Sequence, residues 1–412
     1  MPSSSPVQRI TDPAHRADPY PLYAELRRTP VVRDDSGIHL VTTYWEIRQL
    51  LGDPRISSDA RNLAPGAKSL LASDEDNPAL PPSFIRLDPP EHDRLRRLAT
   101  RPFGPPHSPH RIHDMRGELA RTVTDLIDGL DGRGEFDVVD DVAYPFPVAV
   151  ICRLLGVPRE DEPHFRRMVD VVVAGIDPGE DDPERRRTIQ QGRLELGQYM
   201  AELIDKHRRA PGDDMLSALA TDEGPEGSLS TIEQISTSVL LLIAGHETTV
   251  NLITNGMLTL LRHPEALARL RQDPQTAPAV VEELLRYEPP VQLLPQRTTL
   301  DDIDIAGTVI PKGAPVWLLL ASGNRDPHRF TDPDRFDPAR TDIQHLGFGF
   351  GVHHCFGAPL ARLEAQLALT ELARRLRAPR LIADPPPYRP SPVLRGPRHL
   401  RVAFDGLDHG AP

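Results

Sequence analysis

The chain has 412 residues, a formal net charge of −12 at pH 7 and 39% hydrophobic residues, which suits a globular protein with a substantial core. The acidic balance argues against binding nucleic acid over the whole surface, although it leaves a local basic face open. Only two cysteines are present, no run approaches the roughly 20 apolar residues of a membrane span, and the start lacks the apolar core of a signal peptide. We therefore expect a cytoplasmic protein that binds neither membrane nor nucleic acid.

Most segments between the proline- and glycine-rich breaks have the apolar periodicity of helices. In chain order, helices are predicted near residues 21–28, from 91, from 115, at 183–209, at 230–262 and from 359. Short strands are predicted near 40, from 308 and from 399, and long loops at 63–82 and 384–392. Residues 1 to about 17 are expected to form an extended arm. The pattern predicts a mainly α fold with small β-sheets in a single domain.

The clearest helix begins at Ser230. Ser230 and Glu233 form a capping box, S-x-x-E, before an apolar run that continues to Arg262. This is about 32 residues, or ~48 Å at the α-helical rise. Such a helix would cross the whole molecule.

Glu247 and Thr248 interrupt the apolar centre of this helix, VLLLIAGHETTVNLI. A buried carboxylate is costly unless it is paired or functional. Threonine hydroxyls can bond back to carbonyls one turn earlier while Glu247 pairs with an arginine, or the two residues can serve chemistry. Ala244 and Gly245 leave room for a close approach or a local distortion of the helix. The zinc-protease motif H-E-x-x-H is excluded because Val250 stands in place of its second histidine.

Two shorter fragments are open to more than one interpretation. In EELLRYEPP, Glu283 and Arg286 share a helix face and can pair, which alone is typical of an ordinary surface pair. In DPPEHDRLRR, His92 and Arg96 also share a face. That face suits a carboxylate or phosphate, or simply solvent.

The stretch FGFGVHHCFG, residues 348–357, contains Cys355. The other cysteine, Cys152, lies in apolar PVAVICRLLGVP and is predicted to be a buried small hydrophobe. Zinc is disfavoured because no second ligand cluster exists, and covalent c-type haem because C-x-x-C-H is absent. A cysteine protease remains open, because folding can bring its partners in. A thiolate ligand to haem also remains open: it needs one cysteine, glycines for close approach, and N–H groups or a helix N-terminus near the sulfur.

FGFGVHHCFGAPLAR resembles the haem-binding signature of the cytochrome P450 superfamily, F-G-x-G-x-H/R-x-C-x-G. The matching residues are Phe348, Gly349, Gly351, His353, Cys355 and Gly357. DPPEH with RLRR, AGHETT, EELLR and FTDPDRFDPAR resemble further family motifs and occur in the family's order. The resemblance extends from about residue 18 to 405. It implies the family's fold, with haem b between the long central helix and the cysteine loop.

The resemblance also implies residue roles. Cys355 is expected to be the thiolate ligand of the haem iron. His92, Arg96, Arg297 and His353 are expected to hold the two propionates, because cations offset the desolvation of buried carboxylates.

Other roles carried over from the family are structural or concern the substrate. Glu283, Arg286 and Arg335 are expected to form a structural triad, and Phe348 to pack near the sulfur. Gln292, Leu293 and Leu294 fall where the family lines its substrate pocket, and His354 receives no role.

The reaction that the resemblance implies is a monooxygenation. The haem would activate O₂ and insert one oxygen into a small organic substrate by hydroxylation or epoxidation, and we expect that substrate to be a secondary metabolite by analogy with relatives. O–O cleavage consumes two protons, which Thr248 is expected to relay and Glu247 to connect with solvent.

Electrons are expected from a ferredoxin and an NAD(P)H-dependent ferredoxin reductase, as in the family's soluble bacterial members. The chain itself has no dinucleotide-binding G-x-G-x-x-G and no cysteine cluster for iron–sulfur. Arg94, Arg97 and Arg101 are candidates for a basic face that docks an acidic ferredoxin, or for a solvated helix face. We expect a monomer.

Two other functions are weighed against this one. The first is a non-catalytic haem-thiolate module that recruits a partner or carrier protein, and the second is a peroxide-driven haem enzyme. The intact pair of Glu247 and Thr248 argues against both, because each could dispense with an oxygen-activating proton relay.

Overall fold

The computed structural model describes residues 4–67, 82–103, 110–177, 182–221 and 227–409. Helices carry most of these ranges. They are α1 (Pro6–Thr11), α2 (Tyr20–Leu26), α3 (Tyr44–Gly52), α4 (Glu91–Thr100), α5 (Arg111–Asp128), α6 (Pro145–Leu155), α7 (Glu162–Ala174), α8 (Pro183–Arg209), α9 (Met215–Thr221), α10 (Thr231–Arg262), α11 (Pro264–Gln272), α12 (Ala277–Tyr287), α13 (Leu320–Gly323) and α14 (Ala358–Arg375). The predicted mainly α fold is confirmed.

The strands are short. They are β1 (Val31–Arg33), β2 (His39–Val41), β3 (Ile56–Ser57), β4 (Glu135–Asp137), β5 (Leu294–Thr299), β6 (Ile303–Ile305), β7 (Thr308–Ile310), β8 (Pro315–Leu318), β9 (Arg380–Leu381) and β10 (Arg401–Ala403). The largest sheet has the order β1-β2-β8-β5-β3, and only its β2–β8 pair is parallel. A three-stranded sheet, β4-β10-β9, and the β6–β7 hairpin complete the β-structure of the described ranges.

The long helix α10 lies at the centre of the main hydrophobic core. Its predicted capping box is present, because Ser230 Oγ accepts from the Glu233 N–H while the Glu233 carboxylate accepts from the Ser230 N–H. The helix runs unbroken for 32 residues. Its buried residues, such as Leu242 and Ile253, belong to the same core cluster as residues of α6, α8 and α14. The sequence prediction for this element is confirmed at both ends.

The start of the chain differs from the predicted extended arm. Residues 6–11 form α1, which a second capping box between Ser5 and Gln8 begins. Val7 and Ile10 on this helix are buried against the cluster that contains Tyr20 and Trp317. Local capping and burial of two apolar side chains together favour a helix at this position. Most of the loop predicted at 63–82 lies outside the described residues.

A buried charged network joins α12 to the segment before the cysteine loop. Glu283 and Arg286 are both completely buried and form two hydrogen bonds of 2.7 Å. The third member is Arg340, whose Nε lies 3.2 Å from Glu283 Oε1. The prediction that Arg335 is the third member is wrong. Its side chain is 70% exposed and lies 3.9 Å from Asp337. Only the backbone carbonyl of Arg335 takes part, by accepting a hydrogen bond from Arg286.

Within the described ranges, none of the helices combines the length and the apolar character needed to cross a membrane.

Candidate functional site

The cysteine loop folds back on itself before α14. The Cys355 N–H donates to the Phe348 carbonyl over 2.9 Å, and the His354 N–H donates to the Gly351 carbonyl over 3.0 Å. The guanidinium of Arg362, on α14, stacks 4.5 Å from the Phe348 ring. These contacts place Cys355 immediately before the N-terminus of α14.

Two glycines allow the loop to take this shape. Gly349 and Gly351 have φ values of +69° and +71°, in the left-handed region that other residues rarely adopt. A Cβ on Gly351 would also lie 2.2 Å from the backbone oxygen of Leu51. Gly351 therefore permits both the turn and the close approach of α3.

Opposing effects act on the Cys355 thiol. Burial raises its pKa, whereas hydrogen bonds from the Gly357 and Ala358 N–H groups and the charges of Arg96 and Arg362 lower it. The predicted N–H groups at the sulfur are thus present, at the start of a helix whose dipole also favours a thiolate. The other thiol, Cys152, is buried on α6, and burial raises its pKa to about 12.

Three of the predicted propionate-binding residues meet beside this loop. The rings of His92 and His353 are 4.4 Å apart. His353 Nε2 lies 3.0 Å from Ser58 Oγ, and His92 Nδ1 lies 2.8 Å from Asp93. Burial first, and then the charges of Arg297, His92 and Arg96, lower the pKa of His353 to about 3. The site therefore concentrates basic groups.

Arg297 reaches this cluster because β5 is irregular. The pairing of β5 with β8 shifts register between Leu294 and Arg297, so these residues oppose Leu318 and Val316. A bulge inserts one extra residue, which brings Leu294 and Arg297 to the same face of the strand. Burial lowers the pKa of Arg297 to about 10.

Arg96 lies on the other side of the loop. Its two terminal nitrogens donate to the carbonyls of Val352 and His354 over 3.0 and 2.6 Å. In this position it braces the cysteine loop from α4, and its expected contact with a propionate stays a prediction.

The unpartnered polar atoms of the site fit a dianionic cofactor. His92 Nε2 and His353 Nδ1 are buried without a hydrogen-bond partner. Arg297 has no carboxylate within ion-pair distance among the described residues, because the nearby Asp88 is bonded to Ser57 and Ser58. Buried polar groups normally find partners. Two propionates would supply acceptors here while Cys355 supplies the iron ligand, so these residues fit haem.

The second half of the site is the middle of α10. Thr248 Oγ1 donates to the Ala244 carbonyl over 3.0 Å, and the buried Glu247 carboxylate contacts the Arg389 guanidinium. The side chain of Ile151, on α6, packs directly on Gly245, and a Cβ added to Gly245 would lie 2.6 Å from it. The helix is regular here, so the small residue serves packing rather than a distortion. The geometry matches the interpretation in which Glu247 meets an arginine.

The three residues predicted to line the substrate pocket have different environments. Gln292 and Leu293 are buried, and Leu293 packs in the cluster that contains Trp317 and Val393. Leu294 is only partly buried and shares its strand face with Arg297. Leu294 also packs against the apolar cluster that contains Val316 and Leu318, so the predicted substrate contact of these three residues stays a prediction.

The proposed docking arginines lie on α4 and just beyond it. Arg94 pairs with Glu233 at the start of α10, and Arg101 donates to the Gly227 carbonyl over 3.3 Å. Phe350 and Val352, at the tip of the cysteine loop, are exposed large apolar side chains. A mixed basic and apolar surface thus surrounds the loop.

Sequence reasoning missed two functional-site neighbours, Arg389 and Ser58. Arg389 lies 142 residues from Glu247 along the chain, and Ser58 lies 295 residues from His353. Both stand in proline- or serine-containing segments without a motif, so nothing local indicated them.

Comparison with known proteins gives a consistent result. A family model described as Cytochrome P450 matches residues 183–403. The cytochrome P450 monooxygenase PikC of Streptomyces venezuelae is 40% identical over 94% of this chain and 91% of its own length. The vitamin D(3) 25-hydroxylase of Pseudonocardia autotrophica is 38% identical over 94% of each chain. The 6-deoxyerythronolide B hydroxylase of Saccharopolyspora erythraea is 37% identical over 97% of this chain and 99% of its own length.

A solved structure agrees over the same length. The ligand-free crystal structure of CYP164A2 from Mycobacterium smegmatis superposes with a TM-score of 0.88 at 42% identity, covering 97% of this chain and 99% of that one.

Proposed function

This chain belongs to the cytochrome P450 family of haem-thiolate monooxygenases, and on that premise we propose that it hydroxylates or epoxidises a bulky, hydrocarbon-rich secondary metabolite. When bound, haem b supplies the activation of O₂. The observation that carries the proposal is the basic cluster of His92, Arg297 and His353 beside the Cys355 loop, in which His92 Nε2 and His353 Nδ1 are buried without a hydrogen-bond partner.

Each residue has a defined task in this proposal. Cys355 binds the iron as a thiolate, which its two N–H donors stabilise. His92, Arg297 and His353 hold the propionates and thereby orient the ring. Arg96 fixes the loop carbonyls and adds its positive charge.

Proton supply falls to α10. Thr248 Oγ1, which donates to the Ala244 carbonyl, would release that bond to pass its proton into the site and would regain a proton from the direction of Glu247. Glu247 passes protons inward from solvent. Product formation, RH + O₂ + 2 e⁻ + 2 H⁺ → ROH + H₂O, and peroxide formation, O₂ + 2 e⁻ + 2 H⁺ → H₂O₂, consume the same number of protons. Delivery of the protons through Thr248 would therefore decide between O–O cleavage and the release of peroxide.

The substrate class rests on the relatives. Two of them are named for 6-deoxyerythronolide B, a macrolactone, and for vitamin D(3), a secosteroid. Both compounds are large and mainly hydrocarbon, which agrees with an apolar contact at Leu294. We propose a substrate of this size and polarity.

The electron donor in the proposal is a ferredoxin with its reductase. Arg97 is exposed on α4, and the exposed Phe350 and Val352 belong to the cysteine loop, which the adjacent Arg96 contacts. An acidic ferredoxin fits such a surface. Cys152 and Cys355 are unpaired, which supports a reducing cytoplasm as the site of action.

The test is a spectral titration of the purified haem-loaded enzyme. The reduced protein with CO should give the shifted Soret band typical of thiolate haem, and Cys355→Ala should abolish it. Vitamin D3 and 6-deoxyerythronolide B should each be tried for displacement of the iron-bound water, with myristic acid as a linear control. Binding of the linear acid alone would refute the proposed substrate class, and a missing thiolate band would refute the site.

Turnover separates the competing functions. With a surrogate plant-type ferredoxin, its reductase and NADPH, a monooxygenase should form hydroxylated or epoxidised product. A recruitment module would form none under any condition, and a peroxide-driven enzyme would form product only when peroxide is added.

A further inference from the structure

Three polar residues form a stripe along one face of the buried helix α10. Glu247, Asn251 and Asn255 are spaced four residues apart and are 5%, 0% and 2% exposed. Residues at this spacing lie one above another on a helix. Burial of polar groups is costly without partners; Glu247 and Asn255 find theirs, whereas both amide atoms of Asn251 have none among the described residues.

A hairpin near the C-terminus, residues 387–398, covers this stripe. Arg389 contacts the carboxylate of Glu247, and the Arg395 carbonyl accepts from Asn255 Nδ2 over 3.0 Å. Between them, Gly396 packs so closely that an added Cβ would lie 2.1 Å from Asn251 Oδ1. The hairpin therefore follows α10 over two turns.

Backbone hydrogen bonds close the hairpin, and a buried arginine anchors it to other parts of the chain. The Arg389 N–H donates to the Gly396 carbonyl over 3.1 Å, and the Arg398 N–H donates to the Pro387 carbonyl over 2.7 Å. The guanidinium of Arg395 is buried and bonds Glu288 and the carbonyls of residues 16 and 17. Arg389 thus projects from a fixed backbone.

The same hairpin is joined to the chain that leads into β5. The Gln292 N–H donates to the Val393 carbonyl over 2.8 Å, and the Arg395 N–H donates to the Pro290 carbonyl over 2.8 Å. Two residues further on lies Leu294, the proposed substrate contact. The partner of Glu247 is therefore attached to the wall of the substrate pocket.

Arg389 is the cation that this geometry assigns to Glu247. Other charges near Arg389 are Arg166 and Asp170 on α7, Asp140 in the segment between β4 and α6, and the exposed Arg398 on the hairpin itself. The Nε atom of Arg389 is buried without a hydrogen-bond partner, and the terminal nitrogen Nη1 makes the contact with the Glu247 carboxylate. A guanidinium in contact offsets the desolvation of a buried carboxylate.

We infer that Arg389 is a positioning residue for the proton relay, holding the Glu247 carboxylate ionised and directed so that it passes protons on instead of retaining them. This rests on the proposed function of Glu247 and Thr248. Without the cation, a buried carboxylate either takes up a proton and keeps it or turns away from the relay. Arg389 touches none of the reacting atoms and acts only through Glu247.

The test measures the fate of O₂ in the haem-loaded enzyme with a surrogate ferredoxin, its reductase and NADPH, and needs no organic substrate. Reduction to peroxide, O₂ + 2 e⁻ + 2 H⁺ → H₂O₂, consumes one NADPH per O₂. Reduction to water, O₂ + 4 e⁻ + 4 H⁺ → 2 H₂O, consumes two and requires O–O cleavage. The water-forming fraction, from NADPH, O₂ and peroxide measured together, therefore reports proton delivery.

Four variants make the test decisive: Arg389→Gln, Arg389→Lys, Glu247→Gln and the matched control Arg398→Gln, which removes a charge from the same hairpin. We expect the rate of water formation to fall roughly a hundredfold in Arg389→Gln and Glu247→Gln, the low end of the range for general acid–base groups. The solvent deuterium isotope effect on this rate should rise in both. Arg389→Lys should restore most of the rate, and Arg398→Gln should behave as the wild type.

Every other pattern overturns the inference. Wild-type behaviour of Arg389→Gln, while Glu247→Gln is impaired, would refute the role of Arg389 and leave the proposed relay intact. No effect in Glu247→Gln would refute the relay itself and the inference with it. A loss in Arg389→Gln that lysine does not rescue, together with a lowered melting temperature or a lost CO-bound thiolate band, would show that Arg389 acts only in folding.

Discussion

Replacement of Arg340 by alanine tests which arginine completes the buried network of Glu283 and Arg286. The resemblance to the family indicated Arg335, which lies five residues earlier, whereas the structure places the side chain of Arg340 on Glu283. Arg340→Ala and the comparison variant Arg335→Ala remove the same kind of side chain from positions five residues apart. They therefore form a matched pair in which only the contacts differ.

The expected cost follows from these contacts. Arg340 is 12% exposed, lies 3.2 Å from Glu283 and donates to the carbonyls of Thr331 and Asp332 over 2.7 Å each. Breaking a buried ion pair costs about 3–5 kcal/mol, but Glu283 keeps both bonds to Arg286, so we expect about 2–4 kcal/mol for Arg340→Ala. The exposed Arg335 should contribute within about 0.5 kcal/mol.

The assay is urea unfolding of both haem-loaded variants, followed by far-ultraviolet circular dichroism and by the haem absorbance. Arg340→Ala should unfold at clearly lower urea than the wild type with an unchanged slope, and Arg335→Ala should coincide with the wild type. Equal losses in the two variants, or a larger loss in Arg335→Ala, would refute the assignment.

Three further predictions concern the site's surroundings. Burial raises the pKa of Glu282, but hydrogen bonds from His345 and Arg362 outweigh this effect and lower the pKa to about 2. The ionised carboxylate therefore stabilises the fold above its ordinary pKa near 4.5, and this stabilisation is lost as the pH falls towards 2. Glu282→Gln should flatten the acid limb of a plot of unfolding midpoint against pH. Cys152, whose pKa burial raises to about 12, should resist a thiol reagent at pH 8 until the protein is unfolded. Gly351→Ala should abolish the CO-bound thiolate band because its Cβ would meet the backbone of α3 at 2.2 Å, whereas Gly349→Ala, with its nearest atom 4.0 Å away, should cost only about 1–2 kcal/mol of backbone strain.

Features that depend on neighbours along the chain were predictable. The bounds of α10 follow from a capping box four residues long and from a largely apolar run that ends before His263 and Pro264, both of which are local. The left-handed glycines of the cysteine loop are likewise demanded by the turn itself. Such features can be inferred because the physical cause lies within a few residues of its effect.

Contacts between distant segments were not predictable. That Glu247 would meet an arginine was one of two interpretations, but burial of a carboxylate does not say which of many arginines supplies the charge. The choice between Arg335 and Arg340 turned on a backbone path that no side-chain pattern reveals. The β5 bulge that turns Arg297 towards the proposed haem site is another such case, since strict alternation would place Arg297 and Leu294 on opposite faces of the strand.

Charge balance separates the structural arginines from the functional ones. Arg286 satisfies its charge within the protein, with Glu283 and three backbone carbonyls as acceptors. Among the described residues Arg297 and His353 have no carboxylate partner, and burial first, then neighbouring positive charge, lowers the pKa of His353 to about 3. A fold that tolerates uncompensated basic groups in its interior must recover the cost from a ligand, because desolvated charge without a partner is destabilising. The imbalance itself therefore supports, independently of the motif that surrounds the cysteine, the proposal that these residues hold the anionic edge of the cofactor.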